Sequence, residues 1–325
     1  LKGKADITSA GRKITTRIDA TGAIRGQDVI IAVEAISDNG AVSLPALKID
    51  IGKNSLSGAV ALDTSFMPSG KVAFDLPDIA LLAAMAGQKA EGAIRGMAEI
   101  RSTEGMITGT IKADGPKLVT SGTEIITPVV DLKIIDLAAG QISGTVTSDR
   151  IASGANQLSK LMLDFQHQGA ATAFDLKSQY DGAPLTTAGS IEQQPDGVLT
   201  LNLASFSAAP KKIPVKLNAP IAIRIANGNV AFNAVSITAG QGKITVTGSA
   251  GKMLDIRAKI AALPASLANT FASGLDASGT INADVTVSGD PAAPVIAFDT
   301  DLQNASISQI KAAGLKPMTI SAKGK

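Results

Sequence analysis

The sequence predicts an all-β protein, an elongated antiparallel sheet curled into a trough. Three observations predict it. Apolar and polar residues alternate with period two in nearly every window, and successive strand side chains point to opposite faces. Hairpin-forming dipeptides interrupt the alternation roughly every 8 to 14 residues. The chain also lacks the material of an ordinary core: it has 8 Phe, 1 Tyr and no Trp in 325 residues, although aromatics carry the largest buried areas.

Taken in order, the alternating segments include Leu47, Ile49, Ile51; Val72, Phe74, Leu76; Leu161, Leu163, Phe165; Ile221, Ile223, Ile225; Ile244, Val246; Leu254, Ile256, Ala258, Ile260; and Ile281, Ala283, Val285, Val287. Each strand therefore has one greasy and one wet face, the pattern of an antiparallel sheet with water on one side. The turns are Asp38-Asn39-Gly40, Asp181-Gly182, Asp196-Gly197, Asn227-Gly228-Asn229, Gly240-Gln241-Gly242 and Ser249-Ala250-Gly251. They predict a meander in which each strand pairs with the next.

Two segments depart from period two. Pro77 to Ala86, followed by Gly87, and Pro264 to Ser273, followed by Gly274, read as short helices with Pro in the first turn and Gly past the end. Leu82 and Met85 in the first, and Leu267 and Phe271 in the second, form apolar helix faces that pad the sheet or gate its groove. Ala152 to Lys160 is a weaker third helix candidate.

An internal repeat supports this segmentation. Pro77, Gly87, Gly92 and Ile94 match Pro264, Gly274, Gly279 and Ile281 at an offset of 187. Upstream, at 188, Val42, Leu44, Leu47, Ile49, Gly52 and Leu56 match Val230, Phe232, Val235, Ile237, Gly240 and Ile244. The chain is read as one continuous segment, 1–325, with repeat units near 42–120 and 230–310 and a divergent middle, 121–229. A repeated unit that cannot close its own core marks an extended array. Sheets beyond about ten strands curl or split, and twenty strands at about 4.8 Å each run roughly 100 Å.

Composition excludes much chemistry. One His and no Cys remove most metal sites and nearly all His- or Cys-based catalysis. No catalytic residues, metal or cofactor are expected, and the chain reads as a non-enzyme. His167, continuing the register of Leu161, Leu163 and Phe165, is read as an inward structural residue near a strand end. Tyr180 is read as packing beside a turn. Asp75, Asp78, Glu99 and Glu124 form no short-spaced carboxylate pair. A net charge of +2 argues against nucleic acid, which requires a concentrated basic surface. No apolar run reaches the roughly 18 residues of a spanning helix. The chain opens in strand-like sequence, LKGKADITSA, and stops in mid-pattern at TISAKGK, so it reads as part of a longer protein.

One apolar wall is expected from Ile221, Ile223, Ile225, Ile237, Ile244, Val246, Leu254, Ile256, Ile281, Val285, Val287, Ile296, Phe298 and Leu302, with Arg224, Lys243, Asp255, Arg257, Asp284 and Asp299 facing water.

Val235 to Ile307 resembles the repeat of the TamB family, the inner-membrane subunit of the translocation and assembly module. The resemblance is carried by Leu263-Pro264, Gly274-Leu275, Gly279, Val287, Gly289, Pro294, Ile296, Leu302 and Asn304-Ala305. It covers about a quarter of the chain, with Val42 to Ile111 matching more loosely, and belongs to the wider AsmA-like and bridge-like lipid-transfer group. The resemblance implies an elongated antiparallel β-taco, a U-shaped sheet with an apolar groove. It also implies a periplasmic location in a protein anchored in the bacterial inner membrane, the anchor lying outside this chain. Phospholipid acyl chains would ride in the groove between inner and outer membrane, supporting outer-membrane protein and envelope assembly. A BamA-like outer-membrane barrel would be the partner, through a region outside this chain. The alternatives are a structural spacer or a β-helix adhesin-type protein with a dry core.

An elongated chain of this length has a radius of gyration well above the roughly 20 Å of a compact one. Small-angle scattering checks this, and a value near 20 Å contradicts it.

Overall fold

A computed structural model describes every residue except Ala155, Pro195, Phe271 and Ser273. Strands hold 73% of the chain, so β-pairing and not helix packing organises it. The chain forms two compact units, Leu1–His167 and Gln168–Lys325.

The first unit is a meander of β1 (Lys2–Ala10), β2 (Lys13–Ile24), β3 (Gln27–Asp38), β4 (Ala41–Ile51), β5 (Asn54–Leu62), β6 (Pro68–Leu76), β7 (Ala90–Thr103) and β8 (Met106–Thr120). A broken strand, β9 (Thr123–Ile126) and β10 (Val129–Asp136), follows, then β11 (Gln141–Ser153) and β12 (Asn156–Gln168). Both halves of the broken strand lie between β8 and β11.

The second unit contains β13 (Ala171–Tyr180), β14 (Ala183–Gln193), β15 (Leu199–Ala208), a second broken strand β16 (Val215–Leu217) and β17 (Ile221–Ala226), then β18 (Asn229–Ala239), β19 (Gly242–Ala250), β20 (Leu254–Pro264), β21 (Ser278–Asp290), β22 (Ala293–Ser306) and β23 (Met318–Gly324). Every ladder within each unit is antiparallel, which excludes a parallel β-helix.

Helix α1 (Ala80–Met85) and a 3-10 segment, Ala265–Thr270, occupy the two positions expected for helices. The Asp78 carboxylate accepts the Ala80 N–H at 3.1 Å, closing an Asx turn just ahead of α1. The third candidate, Ala152 to Lys160, is not helical: its two arms are the ends of β11 and β12, with Ser153 opposite Asn156 and Arg150 opposite Ser159. Pairing with the neighbouring strands satisfies the backbone there, and that outweighs the local helical pattern. Two short elements were not anticipated, a 3-10 turn at Pro210–Lys212 and helix α2 (Ser308–Ala312). The turn assigned to Ser249-Ala250-Gly251 falls slightly later, since Ala250 already pairs with Leu254.

The repeat is visible in the backbone. Gly52 and Gly240 have φ of 59° and 61°, and Gly92 and Gly279 have 121° and 111°. A register shift between Leu44 and Leu47 in β4 recurs between Phe232 and Val235 in β18.

Few large apolar side chains are deeply buried. Among the described residues the buried apolar side chains larger than Ala are Val29, Ile134, Leu161, Val198 and Ile221. The chain exposes 18763 Å², against about 12,500 Å² for a compact protein of its mass.

Aromatics are placed by pairing. Phe74 lies opposite Gly96, Phe165 opposite Gly144, Phe174 opposite Gly189, Phe232 opposite Gly248 and Phe298 opposite Gly324. A Cβ on Gly189 would meet Phe174 Cζ at 2.7 Å and the Asn202 carbonyl oxygen at 2.3 Å. The ring thus covers backbone that a side chain would otherwise occupy, a packing known to compensate strand glycines. Gly189→Ala is expected to destabilise the protein by about 1–3 kcal/mol in urea unfolding. Gly182→Asn, at φ 78° with open space around it, is expected to change stability by less than about 0.5 kcal/mol.

Candidate functional site

Alternation and register together place the expected wall residues on one face of β17–β22. Reading across the strands, Ile223 faces Phe232, Phe232 faces Gly248, then come Ile256, Val287 and Ile296. The next row runs Val235, Val246, Ala258, Val285, Phe298. The following rows bring in Ile237 with Ile244, and Leu263 with Ile281 and Leu302. Ile225 and Leu254 lie on the row that also holds Val230 and Ala250. Ile221 pairs with Leu203 at the edge of this set and is buried.

No Asp, Glu, Lys or Arg interrupts this face in β17–β22. Arg224, Lys243, Asp255, Arg257, Asp284 and Asp299 are exposed on the opposite face. Most of the apolar wall is half-buried, while Ile225, Ile296 and Phe298 are exposed at 37%, 47% and 38%. These side chains are neighbours across the ladders of one sheet face.

The first unit carries a matching face. Val42 pairs with Leu62, Leu44 with Val60, and Val72 with Ala98. With Ile100 they line a cavity of 290 Å³ over β4–β7. Sequence reasoning confined the wall to the C-terminal third. The repeat already matched Val42 and Leu44 to Val230 and Phe232, so it held the signal for this second stretch.

The four helix residues differ. Leu82 and Leu267 are half-buried and Met85 is 48% exposed; Phe271 lies outside the described residues. His167 is exposed at the end of β12. The packed structural role expected for it is not seen, because the strand end is open to water. Tyr180, half-buried beside the Asp181-Gly182 turn, has its phenol pKa raised by burial and by the Asp181 charge.

The polar face is organised by ion pairs between strand neighbours. Arg17–Glu34, Arg95–Asp114, Lys112–Asp131 and Lys323–Asp299 join residues directly opposite each other, at 2.9 to 3.1 Å. Exposed pairs contribute little stability each, but opposite charges favour this register over its neighbours. Glu124 takes Lys117 at 2.6 Å and Arg150. The hydrogen bond from Lys117, then the Lys117 and Arg150 charges, outweigh burial and hold its carboxyl below the usual range.

No family model matches the chain, and no curated protein or solved structure matches it.

Glu124 generates a pH dependence. Its pKa is lower folded than unfolded, so its contribution is complete above the unfolded pKa and is lost as pH falls through the folded one. Melting curves of the native chain and Glu124→Gln should therefore differ at pH 7 and converge on acidification. A constant difference would contradict this.

Proposed function

We propose that the chain is a hydrophobic conduit whose apolar face holds phospholipid acyl chains while the headgroups remain in water. The observation that carries this is the face over β17–β22, continuous, free of charged side chains and only half-buried. Each methylene withdrawn from water onto such a face contributes about 0.8 kcal/mol. Aliphatic walls without fixed polar contacts favour no single position, so a chain can slide. That suits transfer better than tight storage, and it requires no catalytic residue, metal or cofactor.

The resemblance of Val235 to Ile307 to the TamB repeat supports the setting. In this reading the chain serves in the periplasm, as part of a protein anchored in the inner membrane. It moves phospholipid between the inner and outer membranes and supports outer-membrane protein and envelope assembly, with a BamA-like barrel engaged through a region outside this chain. Leu82, Met85 and Leu267 would then flank the groove at the strand ends.

Val285 and Thr286 separate this reading from a spacer with a dry core. Val285 lies on the apolar face opposite Ala258 and Phe298, whereas Thr286 is exposed on the other face. A photo-crosslinker at 285, with phosphatidylethanolamine vesicles, is expected to give lipid adducts; one at 286 is not. Val285→Asp is expected to fold, because its carboxylate reaches water from an open face, and to lose lipid loading. In a dry core the same unpaired charge would cost several kcal/mol and unfold the unit. Equal adducts at both positions, or an unfolded Val285→Asp chain without adducts at 285, would overturn the conduit.

A further inference from the structure

The cavity over β4–β7 sits on three cross-strand rows of the first unit. Its middle row is Leu44, Val60, Gly70 and Ile100. Val42, Leu62 and Pro68 flank that row on one side, and Val72 and Ala98 on the other. No charged residue lines the space, which measures 290 Å³. That is the lower end of the range for small-molecule sites, about 300–1,000 Å³, whose walls are mostly apolar.

The repeat supplies an internal comparison. Where the first unit has Leu44, Val60, Gly70 and Ile100, the matching row of the second has Phe232, Gly248, Ile256 and Val287. Val285 stands where the first unit has Ala98. In the second unit the glycine of the row faces a phenylalanine, and isoleucine follows it. In the first unit the glycine lies between Val60 and Ile100 and faces no ring. Gly70 thus leaves the middle of the row without a side chain, and Ala98 beside it adds only a methyl group.

The backbone fixes this gap. Gly70 has φ of 142°, a conformation that residues with a Cβ rarely adopt. A Cβ there would lie 2.6 Å from Val60 Cα and nearer still to the Ala59 carbonyl oxygen. What fills the row therefore comes from elsewhere. A peptide would bring N–H and C=O groups against a lining whose one polar side chain is Ser69, and leaving such groups unpaired is costly. A hydrocarbon chain brings none. The row also sets a length: four strands at about 4.8 Å spacing span about 14 Å. An extended hydrocarbon advances about 1.25 Å per carbon, from a bond of about 1.52 Å and an angle near 111°, so about eleven carbons cross the row.

We propose that this cavity is a holding site for one phospholipid acyl chain, about eleven carbons of which lie across the strands along Leu44, Val60, Gly70 and Ile100. This rests on the acyl-chain reading above and adds a fixed position to it. Over β17–β22 a chain slides; over β4–β7 it is retained, because the gap at Gly70 surrounds it with apolar side chains. Each methylene drawn in tightens binding about fourfold, the equivalent of about 0.8 kcal/mol.

The test uses the full chain and phosphatidylethanolamine vesicles doped with the same lipid carrying an acyl-chain diazirine. Adducts are expected to concentrate at Leu44, Val60 and Ile100, with fewer at Val285 and Val287. Adducts spread evenly over the apolar faces of both units would overturn this inference and leave the conduit standing. Absence of adducts on either face would overturn both.

Two further measurements read the site itself. Ala98→Phe places a ring in the cavity. Filling a cavity stabilises a fold, so this variant is expected to melt no lower than the native chain, to lose the adducts at Leu44, Val60 and Ile100, and to keep those at Val285. Adducts that persist at Leu44 in the folded variant would overturn the proposal; if the variant does not fold, the adduct map of the native chain decides. Phosphatidylethanolamines of increasing acyl length, competing for the adduct at Leu44 in the native chain, are expected to gain about fourfold per methylene up to about eleven carbons and to level off beyond. Potency that ignores chain length, or that climbs unchanged past that point, would overturn the proposal.

Discussion

A single antiparallel layer with one apolar face cannot satisfy that face by itself, and everything else in this chain answers to that constraint. An ordinary domain covers its greasy sheet with helices or a second sheet. Here the helical elements are a few residues long and sit at strand ends. The side chains of β17–β22 therefore stay half-buried against their own neighbours. Backbone ladders and the rows of aliphatic contact along the sheet hold the strands together, and water or a ligand meets the rest.

The shortage of aromatics follows from the same constraint. A large ring on such a sheet can lie over the backbone of the adjacent strand. Five phenylalanines do this by facing a glycine on the adjacent strand. Large and small alternate across the ladder at these positions. On the reverse face, opposite charges occupy facing positions, and a slip by one residue would move the aliphatic rows into water and the charges onto the apolar face.

Much of this was legible in the sequence, because period two encodes which face a residue takes once its strand is known. That the residues from Ile221 to Leu302 share one sheet face follows that way, as do the hairpins at Asn39-Gly40, Asp181-Gly182 and Asn227-Gly228. What escaped depends on pairing partners, and alternation along one strand does not specify them. The Phe–Gly pairs, the Arg95–Asp114 type of ion pair and the breaks at β9/β10 and β16/β17 become visible only with register. Ala152 to Lys160 misled because the local pattern does not reveal that its two arms pair with each other. His167 misled because alternation gives direction and not depth, and the end of β12 is open to water.

The claim on which the account rests is that the open face is a binding surface for acyl chains and not merely an unfinished core. Lipid extraction of the purified, folded chain followed by mass spectrometry measures it most directly. The account predicts phospholipid in at least equimolar amount from the native chain and little from Val285→Asp. A folded native chain that yields no phospholipid, and takes none up from vesicles, would contradict it.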